Sequence, residues 1–280
     1  MKLEPIKNKI DFAVIFTVEN ANPNGDPLNG NRPRTNIDGL GEVSDVCIKR
    51  KIRNRLQDMG KGVFVQSDDR SDDGMLSLRG RAEGLLAEFA KDEDKFVEAA
   101  CNKWIDVRAF GQVFAFKKKN TSDGISIGVR GPVSIRPAFS ISPVNVSSIQ
   151  ITKSVNSEDS DKKGSDTMGM KHRVDCGTYI FYGSINPQLA SKTGFSDADA
   201  KDLKEALKTL FVNDSSSARP DGSMDVVNVY WWEHNCPSGQ YSSAKVHNSL
   251  KLIPKVDDAA HFEDYEVLLT ELDNLKLEIY

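Results

Sequence analysis

The chain has 280 residues, 39% of them hydrophobic and 28% charged, and a formal net charge of −4. That length buries a sizeable core as one large or two small domains. No apolar run approaches the ~20 residues of a membrane span, no secretory signal is expected from MKLEPIKNKIDF, and the negative balance excludes a protein that coats nucleic acid on every side.

In chain order, Ile10 to Glu19 alternates, with Ile10, Phe12, Val14, Phe16 and Val18 on one face, which predicts a strand with one buried side. Asn20 to Glu42 follows, with four glycines, three prolines, six asparagines and the pair Arg32 and Arg34. This loop is too polar to fold alone. A helix is predicted from a Ser44 cap to Gly60, with Ile48, Ile52, Leu56 and Met59 on one stripe. Its other faces carry Lys49, Arg50, Lys51, Arg53 and Arg55, five cations in seven residues. Like charges so close repel, and a polyanion along the helix would remove that cost.

Residues 61–105 read as a mainly helical insertion, with Leu85, Leu86 and Phe89, then Phe96, Val97, Ala100, Cys101 and Trp104, at helical spacing. Asp106 to Phe116 and Ser126 to Val144 come next, broken by Gly128, Gly131 and Pro132. Ser154 to Asp166 is almost devoid of apolar residues and reads as a projecting hairpin tip. Strands are expected at Cys176–Ile185 and Val226–Glu233. Between them lies a helix from Asp197 to Phe211, capped by Ser196 with Asp199 in a capping box. From Asp257 onward eight acids stand against the single base Lys276. Basic groups recur at Lys117–Lys119 and Lys171–Arg173. The order of elements fits a split βαβ, ferredoxin-like α+β core with elaborations, the core that RNA-recognition modules use.

Catalytic patterns are thin. Gly25 to Gly30 has P-loop glycine spacing, but Asn31 and Arg32 stand where Lys and Ser/Thr belong, so no nucleotide triphosphate site follows. His234 and Cys236 supply at most two ligands and predict no metal. The scattered cysteines Cys47, Cys101, Cys176 and Cys236 read as reduced thiols of a cytoplasmic protein, and no cofactor is expected. Gly128 to Gly131 lets a backbone approach phosphate with Arg130 alongside, or is a tight bend. Asp26 and Asp38 read as turn formers, with a general acid or base in RNA cleavage as the alternative. Met168 and Met170 either wedge against a base, with Lys171 and Arg173 holding phosphate, or dock the hairpin on its own core.

NPNGDPLNGNRPR after the first strand, DVCIKRKIRN, DVRAFGQVFAF, GVRGPVSI, MGMKHRV before GTYIFYGSI, and FSDADAKDLKEAL with SSSAR together resemble the backbone subunit of type I-C CRISPR effector complexes. This is the Csd-type branch of the Cascade backbone family, and the resemblance spans residues 10 to 255 or so. It implies a palm (1–60, 106–153, 174–256), helical fingers (61–105), a thumb hairpin (154–173) and an acidic C-terminal segment (257–280). It further implies that copies stack along guide RNA, each thumb flipping out a base, and leave stretches free to pair with target DNA. The large, small and guide-end-capping subunits are implied partners, and a separate nuclease is recruited. By the same resemblance Arg32, Arg34, Lys49, Arg50 and Arg53 grip the guide backbone, and Met168, Lys171 and Arg173 form the thumb end. RNA cleavage through a first-loop aspartate, as in type III relatives, is the rival expectation.

Overall fold

Alternating apolar residues make the first strand, β1 (Ile10–Ala21). The protein is seen here as a computed structural model describing residues 4–89, 92–117, 124–155 and 168–280. Lys118 and Lys119, and residues 156–167 of the expected projection, lie outside the described residues.

After β1 the opening loop folds into β2 (Gly25–Asp26) paired with β3 (Arg32–Pro33), then β4 (Leu40–Val43) and the helix α1 (Asp45–Asp58). Three helices follow, α2 (Leu78–Phe89), α3 (Glu93–Lys103) and α4 (Ile105–Phe110), and then the hairpin β5 (Gly111–Lys117) and β6 (Gly124–Arg130). The strands β7 (Val133–Ile135), β8 (Ala138–Pro143), β9 (Val146–Thr152) and β10 (Met168–Ile185) lead to α5 (Pro187–Thr193) and α6 (Asp197–Lys208). The chain closes with β11 (Met224–Glu233), α7 (Ser243–Asn248), β12 (Leu250–Pro254), β13 (Tyr265–Leu269) and β14 (Lys276–Ile279).

Eight strands form one antiparallel sheet, ordered β14–β11–β1–β10–β8–β4, with β7 and β9 also paired to β10. Both predicted caps are present. The Ser44 hydroxyl accepts from the Cys47 amide, and Ser196 and Asp199 complete a capping box. α1 and α6 cover one face through Ile48, Ile52, Leu56, Leu203 and Leu207, packed on Phe12, Val14 and Phe16. β1, α1, β8, β10, α6 and β11 thus form a βαββαβ unit.

The second face of β1 is buried as well, against expectation. Ala13 and Ile15 lie under Trp232, Val246, Leu252 and Tyr265, supplied by β11, α7, β12 and β13. The same covering encloses Asp11, which accepts from His234 Nε2 at 2.9 Å and pairs with Lys9 at 3.1 Å. Burial by itself raises the Asp11 carboxyl, but the bonds from His234, Ser243 and Lys9 outweigh it and hold it below its ordinary value. The Gln240 amide donates to His234 Nδ1 at 3.0 Å, which makes Nε2 the protonated nitrogen.

The helical insertion extends further along the chain than expected. Phe64 packs on Trp104 and Phe114, ring centroids 4.7 and 5.0 Å apart, and Ile127 and Val129 join the same cluster. β5 and β6 therefore belong with α2 and α3, because their apolar faces find cover there.

The acidic C-terminal segment is built in as well. β13 pairs with β12, and β14 extends the large sheet beyond β11. Lys204 donates to Glu278 at 2.7 Å, and Lys276 lies 2.8 Å from it. Bonds from Lys204, Lys276 and Tyr280 hold the Glu278 carboxyl down at about 2. Because its folded value is depressed, the anchoring is fully present above the ordinary glutamate range and is lost as pH falls from about 4.5 through 2. The expected result is faster amide exchange at Leu277–Ile279 on acidification, a response that Glu278→Gln removes. Identical pH profiles for the two proteins would refute the anchoring.

Candidate nucleic-acid interface

The charge on α1 is compensated within the chain. Lys49 pairs with Asp45 at 2.9 Å, one turn earlier. Lys51 is buried against Asp214, and burial lowers its ammonium despite that partner. Arg53 Nε donates to Asp106 at 3.0 Å, and its guanidinium lies over the Phe110 ring at 5.1 Å. Arg50 donates to the Val65 carbonyl at 2.6 Å, and Arg55 to Thr209 Oγ1 at 2.7 Å. The cost of packing these cations together, which sequence left to an external polyanion, is met by carboxylates at positions 106 and 214. Folding therefore accounts for much of the cation density. Lys49, in a half-buried i,i+4 pair worth a few tenths of a kcal/mol, keeps donors for a ligand. Arg50 uses one of its five N–H donors on Val65.

A second cluster gathers where three distant segments meet. The β2–β3 turn is set by Asp26, whose Oδ1 accepts from the Leu28 amide at 3.2 Å and from Arg34 at 3.3 Å. Gly30 and Asn31 both take left-handed backbone, φ 58°. A Cβ on Gly25 would sit 2.0 Å from Asn31 Oδ1, so a larger residue there would have to displace the Asn31 side chain. The second segment is the base of the β9–β10 hairpin, where Lys171 pairs with Ile149 and Arg173 with Ser147. Lys171 and Arg173, two residues apart, share one face of the strand, while Met168, Met170 and His172 share the other. The third is the 214–219 loop. Lys51 and Arg219 both grip Asp214, the latter at 3.3 Å, and the Asn22 amide donates to the Ala218 carbonyl at 2.9 Å.

These segments enclose a hollow of about 300 Å³ lined by Asn22, Asn31, Met170, Lys171, His172 and Ser217 among others. Asp175 is 3.7 Å from Arg173 Nε. The side chains of Arg32 and Lys171 have no ion-pair or hydrogen-bond partner among the described residues. Met168 and Met170 are 57% and 56% exposed, so they do not dock the hairpin on the described core. The surface thus offers unneutralised cations beside exposed apolar side chains, an arrangement suited to holding phosphate and stacking against bases.

The remaining expected residues lie elsewhere. Arg130 is exposed on β6, in the insertion. A Cβ on Gly131 would fall 2.3 Å from the Ala109 carbonyl and 2.4 Å from the Gly111 nitrogen, so the GVRG bend serves close backbone packing. Asp26 caps its turn, as expected. The Asp38 amide donates to Asn36 Oδ1 at 3.0 Å within the next turn. Sequence reading missed Asn22 and the SSSAR loop as neighbours of Lys171. Only the Asn-rich composition around Asn22 hinted at them.

A family model described as CRISPR-associated protein Cas7 matches residues 8–270. A CRISPR-associated protein Cas7 of Haloferax volcanii is 26% identical over 225 residues, 75% of this chain and 66% of the relative. The chain thus spans just under two thirds of that relative's length. Among solved structures, a chain of a CRISPR RNA-guided surveillance complex, pre-nicking, superposes with a TM-score of 0.51 at 16% identity, covering 80% of this chain and 78% of the other. At that identity the likeness is one of fold.

Proposed function

Because the chain belongs to the CRISPR-associated Cas7 family, we propose that it is a non-catalytic backbone subunit that polymerises along CRISPR guide RNA and presents it to target double-stranded DNA. The observation that carries this reading is the hollow where Asn31, beside Arg32, meets Lys171 and Met170 from a segment over a hundred residues away, with Arg173 and Met168 on the same strand. In this reading the ferredoxin-like βαββαβ unit is the palm, drawn from 1–60, 106–153 and 174–256 without the β5–β6 hairpin. The helical segment 61–105 with the β5–β6 hairpin forms the fingers, and 154–173 the tip of a thumb whose arms are β9 and β10. Lys49, Arg50 and Arg34 flank the palm surface, and Arg130 serves the fingers side. The complex is of type I-C, works in the cytoplasm, and carries large, small and guide-end-capping subunits beside further copies of this chain.

The role of Asp26 favours this reading over RNA cleavage. Its Oδ1 accepts from the Leu28 amide and Arg34, the local bonding of a turn-forming aspartate.

The assembled complex isolated from cells should carry RNA of uniform length, and labelled complementary RNA incubated with it and a divalent metal should stay intact. Metal-dependent fragments that disappear in Asp26→Ala would establish the enzyme reading instead. A complex isolated without RNA would overturn the binding role.

A further inference from the structure

β14 ends the large sheet. Among the described residues it pairs with β11 and with no other strand, so one of its edges is free. The register fixes which backbone groups lie on that edge. Val229 and Tyr280 exchange both of their hydrogen bonds, at 2.9 and 3.0 Å, and Trp231 lies opposite Glu278. Bonded pairs in an antiparallel ladder recur at every second residue. Tyr280, Glu278 and Lys276 therefore turn their amides and carbonyls toward β11, while Leu277 and Ile279 turn theirs outward.

The side chains of those same two residues line a groove of about 550 Å³ between β14 and the segment 269–275, together with Trp232 and Leu275. Glu271 and Asp273 line it as well, and neither carboxylate has an ion-pair or hydrogen-bond partner among the described residues. Lys276 and Glu278 alternate to the opposite face of the sheet, where they pair with Glu233 and Lys204. The groove side thus carries acids and apolar groups, with no cation among its lining residues. Ile279 is 51% exposed and Tyr280 44%. Sheet edges are ordinarily blunted by charge or covered, because open amides and carbonyls beside apolar side chains recruit another strand.

We propose that this edge is a docking site for an extended segment of another protein, added to the sheet as a further strand. Its apolar residues, at every second position, enter the groove, and a Lys or Arg meets Glu271 and Asp273. Main-chain bonds to Leu277 and Ile279 supply affinity whatever the segment's sequence, and the groove with its two acids selects the partner. Two copies of this chain meeting edge to edge would bring their acidic rims together, so like charges oppose self-pairing. The site uses none of the residues assigned to RNA and stands apart from that reading.

The test follows amide hydrogen exchange at Leu277 and Ile279 in the full chain alone and in the complex isolated from cells. Both amides should exchange about tenfold or more slowly in the complex, as new main-chain bonds require. Ile279→Pro removes an outward N–H and leaves the bonds to β11 in place. That chain alone should keep the wild-type urea midpoint, and in its complex Leu277 should exchange as fast as in the free chain. Equal exchange in the two wild-type samples would overturn the inference. Slowing at Leu277 that Ile279→Pro leaves unchanged would show a cover other than a paired strand and overturn it too. Slowing that appears in the chain alone as its concentration rises, with dimers in sedimentation, would assign the edge to a second copy and overturn the partner. Should Ile279→Pro misfold, Glu271→Lys with Asp273→Lys decides the matter. Exchange in that complex returning to the free-chain rate supports the basic partner, and protection that persists overturns it.

Discussion

Replacing Asp106 with alanine is expected to cost about 3–5 kcal/mol, the range for removing one partner of a buried ion pair. The carboxylate is 1% exposed and accepts three bonds: from the Phe64 amide at 2.7 Å, the Val65 amide at 3.0 Å and Arg53 Nε at 3.0 Å. It sits in the first turn of α4 and ties that turn to α1 and to the segment Phe64–Val65 that leads to α2. Alanine would strand one buried and one half-buried amide donor together with a guanidinium, a large share of a domain stability of about 5–15 kcal/mol. Urea unfolding reads the loss as a lower midpoint with an unchanged slope. Arg53→Ala should cost less, because both amides keep their acceptor. A stability loss below about 1 kcal/mol for Asp106→Ala, read as midpoint shift times slope, would show that Arg53 is not held by folding and would return it to the set of free RNA-binding cations.

The second large effect is on binding. Arg32, Lys171 and Arg173 together should contribute about three phosphate contacts, so the triple alanine variant should flatten the slope of log K against log[salt] by about 2, at ~0.7 per contact. At 0.15 M salt the same arithmetic gives a loss of about fifty-fold in affinity, the same for every RNA sequence. Stability should barely change, since none of the three is engaged in a buried pair. Lys51→Ala should do the opposite: it removes the buried partner of Asp214, lowers stability, and leaves the slope nearly as it was. An unchanged slope in the triple variant would remove this surface from the account.

Much of the architecture was legible because its signals are local. The period-2 run of β1, the Ser44 cap of α1 and the Ser196–Asp199 box of α6 each depend on residues within one element. What escaped was long-range. The acids that neutralise α1 come from Asp106 and Asp214, about 50 and 160 residues further on, so a helix without acids from Cys47 to Gln57 looked bare. The second buried face of β1 depends on covering elements beyond residue 233. Asp11 and Thr17 in the alternation gave no sign of them. The site was legible in part: Lys171, Arg173 and the methionines stood out as cations and apolar residues beside a polar stretch. Asn22 did not, because a residue walling the hollow becomes visible only when its neighbours are in place.

The most direct measurement of the central claim is a nuclease footprint on RNA bound by increasing amounts of the protein. A subunit that repeats along a strand without reading its sequence should protect a ladder of lengths separated by one constant step. The same step should appear on unrelated RNA sequences, and it should be absent on DNA of those sequences. Protection confined to one RNA sequence, or fragments with no constant spacing, would contradict the account.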